Sequence, residues 1–111
     1  MVEYKKIDEL TKLKGKDVFI RGWVHRKREM KDKVFLVIRD STGIVQAVVK
    51  EGSKAWEQAG KITIESSLTL KGKVKEDKRA PTGVEIEADS LEIVGLAERF
   101  PIGRDLSEEF L

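Results

Sequence analysis

The sequence predicts an all-β domain with short helices: five strands closed into a Greek-key barrel, with a helix between the third and fourth strands. Three observations carry that expectation. Apolar and polar residues alternate over five segments, the period of a half-buried strand. A stretch of helix formers, "GSKAWEQAGKI", follows the third of these segments. The 111 residues, 40% hydrophobic and 38% charged, suit one globular domain with a modest core rather than a disordered chain.

In "KIDELTKLKGKD", Ile7, Leu10 and Leu13 recur at helical spacing, so a short helix is expected near 7–13, stopped by Gly15. In "DVFIRGWVHRKR", Val18, Ile20, Gly22 and Val24 alternate with Phe19, Arg21, Trp23 and His25. This is the first strand, and Gly22 within it predicts a bulge or sharp coil that helps to close a barrel. Arg26, Lys27 and Arg28 follow it, and "EMKDK" is a charged turn. The next two strands lie in "VFLVIRDSTGIVQAVV", joined by "DSTG". A helix is expected from about 53 to 61, with Ser53 as its cap. "SSLTLKGKVKED" is the fourth strand, with Leu68, Leu70, Gly72 and Val74 on one side, and "KRAPTG" is a loop. In "VEIEADSLEIVG" the alternation changes phase after Ser90, which predicts a bulge. Five strands with this helix placement follow the plan of the OB-fold; an SH3-like barrel normally lacks the internal helix. No internal repeat or low-complexity segment interrupts it.

The strand 2–strand 3 register decides which side chains share a face. A two-residue turn flanked by Asp40 and Gly43 pairs Val37 with Gln46 and Phe35 with Val48. All four then share one face, with Phe35 and Gln46 as diagonal neighbours. A bulge at Gly43 slips the register by one and puts Gln46 with Leu36 and Ile38. Ser41 and Thr42 at the turn centre mildly favour the bulge, and pattern alone does not settle the register.

Composition narrows the chemistry. The absence of cysteine excludes disulfides, thiolate metal sites and thiol catalysis, and one histidine, His25, excludes a multi-histidine metal site. No nucleophile elbow or phosphate loop is present. The acids at 85, 87 and 89 alternate on one strand side, as a mixed charged face does. No active site is expected in these residues. No apolar run approaches membrane-spanning length, and the N-terminus lacks a signal peptide's apolar stretch, so a cytoplasmic protein is expected. Asparagine is absent and Lys and Glu abound, a profile of heat-adapted proteins.

Binding is the better-supported function. Residues 21–33 carry six basic residues against two acids, whereas residues 85–111 carry eight acids against two arginines. A local basic stretch recruits phosphates where the average charge does not. Arg26 and Arg28 can grip phosphate or stack on a base. Phe35 offers a stacking platform, Gln46 can donate and accept at a base edge, and Glu87 can accept from a guanine edge. Each also has a plain structural reading: Phe35 as core, Gln46 as an edge polar residue, Glu87 as a partner for a lysine.

Four segments, "GWVHRKRE", "VFLVIRDSTGIVQAVV", "ESSLTLKGKVKEDKRAPTGVEIEADSLEIV" and "FPI", together resemble the N-terminal anticodon-binding domain of aspartyl- and asparaginyl-tRNA synthetases. The "RAPTGVEIEADSLEI" and "FPI" segments are more similar to asparaginyl enzymes of the archaeal type. The resemblance implies an OB-fold over residues 1–96 that grips the tRNA anticodon loop. Residues 97–111 would link it to a catalytic domain absent from this chain. It implies that Phe35 stacks on the central anticodon U and Gln46 reads it, which places both on the RNA-facing side. Glu87 would address the first base, a guanine, and Arg26 and Arg28 the backbone and bases. His25 and the loop around Pro81 would fall at the third base. ATP and magnesium are expected for the parent enzyme and no cofactor for this chain; the parent is expected to be a homodimer. The rival readings are a stand-alone, sequence-tolerant single-strand binder, which needs neither Gln46 nor Glu87, and a purely structural interaction domain.

Overall fold

The structure, a computed structural model, describes residues 3–80 and 82–95. The expected linker 97–111 and Pro81 lie outside them. A 3₁₀ helix, Ile7–Lys12, precedes β1 (Asp17–Glu29), β2 (Lys33–Arg39), β3 (Ile44–Lys50), α1 (Trp56–Lys61), β4 (Ser67–Glu76) and β5 (Val84–Gly95). The strands close into a barrel in the order β1-β2-β3-β5-β4. Every pairing is antiparallel except β3 with β5. This is the expected five-stranded barrel, with α1 between β3 and β4.

Alternation is its physical origin. Val18, Ile20 and Val24 of β1, Leu36 and Ile38 of β2, Val45, Ala47 and Val49 of β3, Leu68, Leu70 and Val74 of β4, and Ile86 of β5 all point inward and are buried. Leu10 from the 3₁₀ helix, with Ala59 and Ile62 at α1, joins the same core. Their polar neighbours along each strand are left outside.

Four local features differ from expectation or refine it. The first helix is 3₁₀ rather than α: Ile7, Leu10 and Leu13 are spaced by three, and in a 3₁₀ helix such residues align on one side. α1 begins at Trp56, and Ser53 does not cap it. The Ser53 hydroxyl donates to the Lys50 carbonyl at 2.8 Å, so it belongs to the turn that ends β3. β1 continues through Arg26, Lys27 and Arg28 to Glu29. Its register against β2 shifts between Val24 and Arg26, so the irregularity sits at His25 and not at Gly22. Gly22 serves close approach instead, since a Cβ there would lie 2.3 Å from the Arg39 carbonyl oxygen. The phase change in β5 does arise from a bulge. Lys71 pairs with Ser90 and Gly72 with Ala88, which leaves Asp89 extra.

The β2–β3 hairpin keeps one register from Lys33 opposite Lys50 to Arg39 opposite Ile44. Gly43 does not adopt positive φ, so no glycine bulge forms. The Asp40 carboxylate explains why. One oxygen accepts from the Thr42 and Gly43 amides at 2.7 and 3.1 Å and from the Thr42 hydroxyl at 2.7 Å. The other accepts from the Ile7 amide at 2.9 Å and ties the 3₁₀ helix to the hairpin. Burial works to raise the Asp40 pKa, but these hydrogen bonds outweigh it and hold the carboxyl below its ordinary range.

Candidate nucleic-acid interface

The register fixes two rows of outward residues across four strands. One row runs Arg26, Val37, Gln46, Glu85; the next runs Arg28, Phe35, Val48, Glu87. Phe35 and Gln46 are therefore diagonal neighbours on one outer face, while Leu36 and Ala47 between them point into the core. The Phe35 ring, whose plain structural reading was a core residue, is on the outer side of the barrel. It is half-buried rather than fully exposed, and the Lys33 ammonium lies 5.7 Å from its centre.

Arg26, Lys27, Arg28, Phe35, Val37, Gln46 and Ile64 line a depression of about 460 Å³. Phe35, Val37 and Ile64 supply its apolar lining, and Arg26, Lys27 and Arg28 its cationic lining. Among the described residues, Arg26 and Arg28 have no acidic partner, so both guanidiniums remain available to an anion. Lys27 differs. Its ammonium donates to the Gly60 and Ile62 carbonyls at 3.3 and 3.0 Å and pairs with Glu29 at 3.2 Å. It thereby ties β1 to the C-terminal end of α1, where a cation is favoured. Two residues beyond that tie is Ile64, 53% exposed. Strand periodicity could not find Ile64, because it lies in the loop after the helix; an apolar residue isolated in a polar loop was the one signal.

Gln46 carries the most specific chemistry. Its side-chain Nε2 donates to Glu85 Oε2 at 2.9 Å. A carboxylate only accepts, so the amide nitrogen must face Glu85. That leaves Oε1 and the second N–H as what Gln46 offers to the depression. Glu85 is the partner that reading along the sequence missed. Parallel pairing of β3 with β5 sets it opposite Gln46, and neighbours across a parallel pair leave no local signature.

Glu87 stands one row along and outside this depression. It pairs with Lys50 at 2.9 Å and Lys75 at 3.1 Å. Hydrogen bonds from these two lysines hold its carboxyl below the ordinary range, and Glu87 in turn raises Lys50. With Lys71, Lys73 and Asp89 it lines a separate depression of about 530 Å³. His25 is exposed at the β1 irregularity and lines neither depression. The structure thus joins Arg26, Arg28, Phe35 and Gln46 and sets Glu87 and His25 apart. Among the described residues, no group of three or more His, Cys, Asp or Glu side chains could hold a metal ion, and no helix is long and apolar enough to cross a membrane.

Comparison with known proteins identifies the family of the barrel. Residues 18–94 match the tRNA anti-codon family, described as an OB-fold nucleic acid binding domain. An asparagine–tRNA ligase of Thermococcus gammatolerans is 48% identical over 106 residues, 94% of this chain and 25% of the relative. An aspartate–tRNA(Asp/Asn) ligase of Saccharolobus solfataricus is 42% identical over 102 residues, 91% of this chain and 24% of the relative. The crystal structure of asparaginyl-tRNA synthetase from Pyrococcus horikoshii superposes with a TM-score of 0.81 at 43% identity, covering 92% of this chain and 25% of that one. The chain spans about a quarter of the length of the curated relatives it matches. From its barrel, its outward aromatic–amide pair and these matches, the chain belongs to the family of OB-fold tRNA anticodon-binding domains.

Proposed function

We propose that this chain reads the anticodon of tRNA as the N-terminal domain of an asparaginyl-tRNA synthetase. Residues 1–96 form the reader and 97–111 lead to the catalytic domain. That domain, in a cytoplasmic homodimeric parent, holds the ATP and magnesium used in aminoacylation.

One observation carries the reading: Gln46 lies diagonal to Phe35, with its amide turned by Glu85. A base stacked on Phe35 meets an acceptor, Oε1, beside a donor. Uracil offers the complement, an N3–H beside a carbonyl. Cytosine presents a bare N3 and an amino group at the same places, which sets acceptor against acceptor and leaves polar groups unpaired. Such buried unmet groups cost ~1–3 kcal/mol each, so roughly ten- to hundredfold discrimination can come from this contact. Arg26 and Arg28 grip the backbone beside it. Glu87, on the outer side of β5, supplies the acceptor for a guanine at the first position. His25, with the loop around Pro81, addresses the third base.

The test is a pair of titrations at fixed salt with U-centred and C-centred anticodon stem-loops. Wild type should prefer the U-centred loop, and Gln46→Ala should weaken that complex and narrow the preference. Equal binding of both loops by wild type would mean a sequence-tolerant single-strand binder instead.

A further inference from the structure

A second aromatic–basic cluster lies on the same two strands as the anticodon face. Along the outer side of β2, Phe35 is followed by Val37 and then Arg39; across from Arg39 on β1 stands Trp23. The step from Phe35 to Arg39 is four residues, about 13 Å of strand. Trp23 is 44% exposed, and the Arg39 guanidinium sits 5.5 Å from its ring centre. Among the described residues the indole N–H has no acceptor. An exposed ring with an idle polar handle is uncommon in a finished surface and common where a partner lands.

The surroundings are cationic. Trp23 opens onto a groove of about 460 Å³ shared with Tyr4, Lys6, Arg21 and Val94. The Arg21 guanidinium lies 4.9 Å from the Tyr4 ring centre and has no acidic partner among the described residues. The acids nearby are already engaged: Glu65 by Arg39, and Asp40 by Ile7, Thr42 and Gly43. A groove with aromatic walls and a free guanidinium fits an unpaired nucleotide, since the base can stack while the phosphate meets the cation.

We propose that the RNA-facing surface continues past Val37 into this groove, where Trp23 stacks a second unpaired nucleobase and Arg21 and Lys6 hold its phosphate. The inference rests on the anticodon-reading function and extends it to a nucleotide flanking the bases at Phe35 and Gln46.

The experiment uses the full chain carrying Trp56→Phe, which leaves Trp23 as the reporter; Trp56 lies in α1, outside both surfaces. Titration with an anticodon stem-loop should quench Trp23 fluorescence. Trp23→Ala should weaken binding roughly five- to hundredfold, with Trp23→Phe retaining most of the affinity. Arg21→Gln, which leaves Trp23 in place, should flatten the salt dependence by about 0.7 in slope; it keeps the proposal testable if Trp23→Ala fails to fold. If Phe35→Ala weakens binding while Trp23 stays unquenched and Arg21→Gln has no effect, the groove proposal is overturned and the anticodon reading stands. If Phe35→Ala has no effect either, both fall.

Discussion

The Phe35 face and the Glu87 cluster are neighbouring parts of one barrel surface, and both are rich in cations. They differ in what the cations already touch. Lys50 and Lys75 close on Glu87 at 2.9 and 3.1 Å, so those cations already have an internal partner. Arg26 and Arg28 have no acid among the described residues, and they share a depression with Phe35, Val37 and Ile64. Basic residues alone therefore do not mark a binding surface. Cations left without an internal partner, beside a ring that the core does not consume, are what the proposed reading face adds.

The strongest way to break this contrast is to remove the ring. Phe35→Ala should weaken stem-loop binding by ~1–3 kcal/mol. Its effect on stability should be small, because the ring is half-buried on the outer side. Leu36→Ala, one residue along and wholly buried, should instead cost ~2–5 kcal/mol of folding stability. Thermal melts of the two variants beside their binding curves measure the comparison. A large melting loss in Phe35→Ala would assign that ring to the core.

Next in size is the electrostatic contrast. Arg26→Gln and Arg28→Gln should each lower the salt slope of binding by about 0.7 for every phosphate the missing guanidinium would have neutralised. Lys50→Gln should change the slope less, because its ammonium is already paired with Glu87 and lies outside the Phe35 depression. Equal slopes across all three variants would erase the distinction between the two clusters.

The smallest effects concern the carboxylates that have internal partners, in acid. The carboxyls of Glu87 and Asp40 are both held below their ordinary pKa values, 4.5 and 3.8. A depressed folded pKa contributes stability that is fully present above the ordinary value and is lost as pH falls through the folded one. Stability should therefore be level near neutrality and decline once the pH drops below about 4. Glu87→Gln should remove its share of that decline while lowering neutral stability by less than ~1 kcal/mol, as expected for an exposed pair. Denaturation midpoints at several pH values check this; an unchanged acid limb in the variant would show that its pairs with Lys50 and Lys75 do not persist in solution.

The sequence by itself determined the barrel and which residue types its proposed reading face would offer. Strand alternation is a local property, because each side chain is sent inward or outward by its own place in the pleat. Five alternating segments and a helix after the third were enough to define the architecture, and the phase change near Ser90 was enough to place a bulge. Arg26, Arg28, Phe35 and Gln46 were legible because their residue types are unusual for where they stand. What the sequence left open was which of two hairpin registers holds. Only the folded chain decided it, through Asp40, whose carboxylate accepts from Ile7, thirty-three residues away in sequence, as well as from its own turn. The same is true of Glu85, which turns the Gln46 amide, and of Lys50 and Lys75, which take Glu87 for themselves. These contacts join strands far apart along the chain, and a charged or polar side chain carries no mark of the distant partner that barrel closure brings to it.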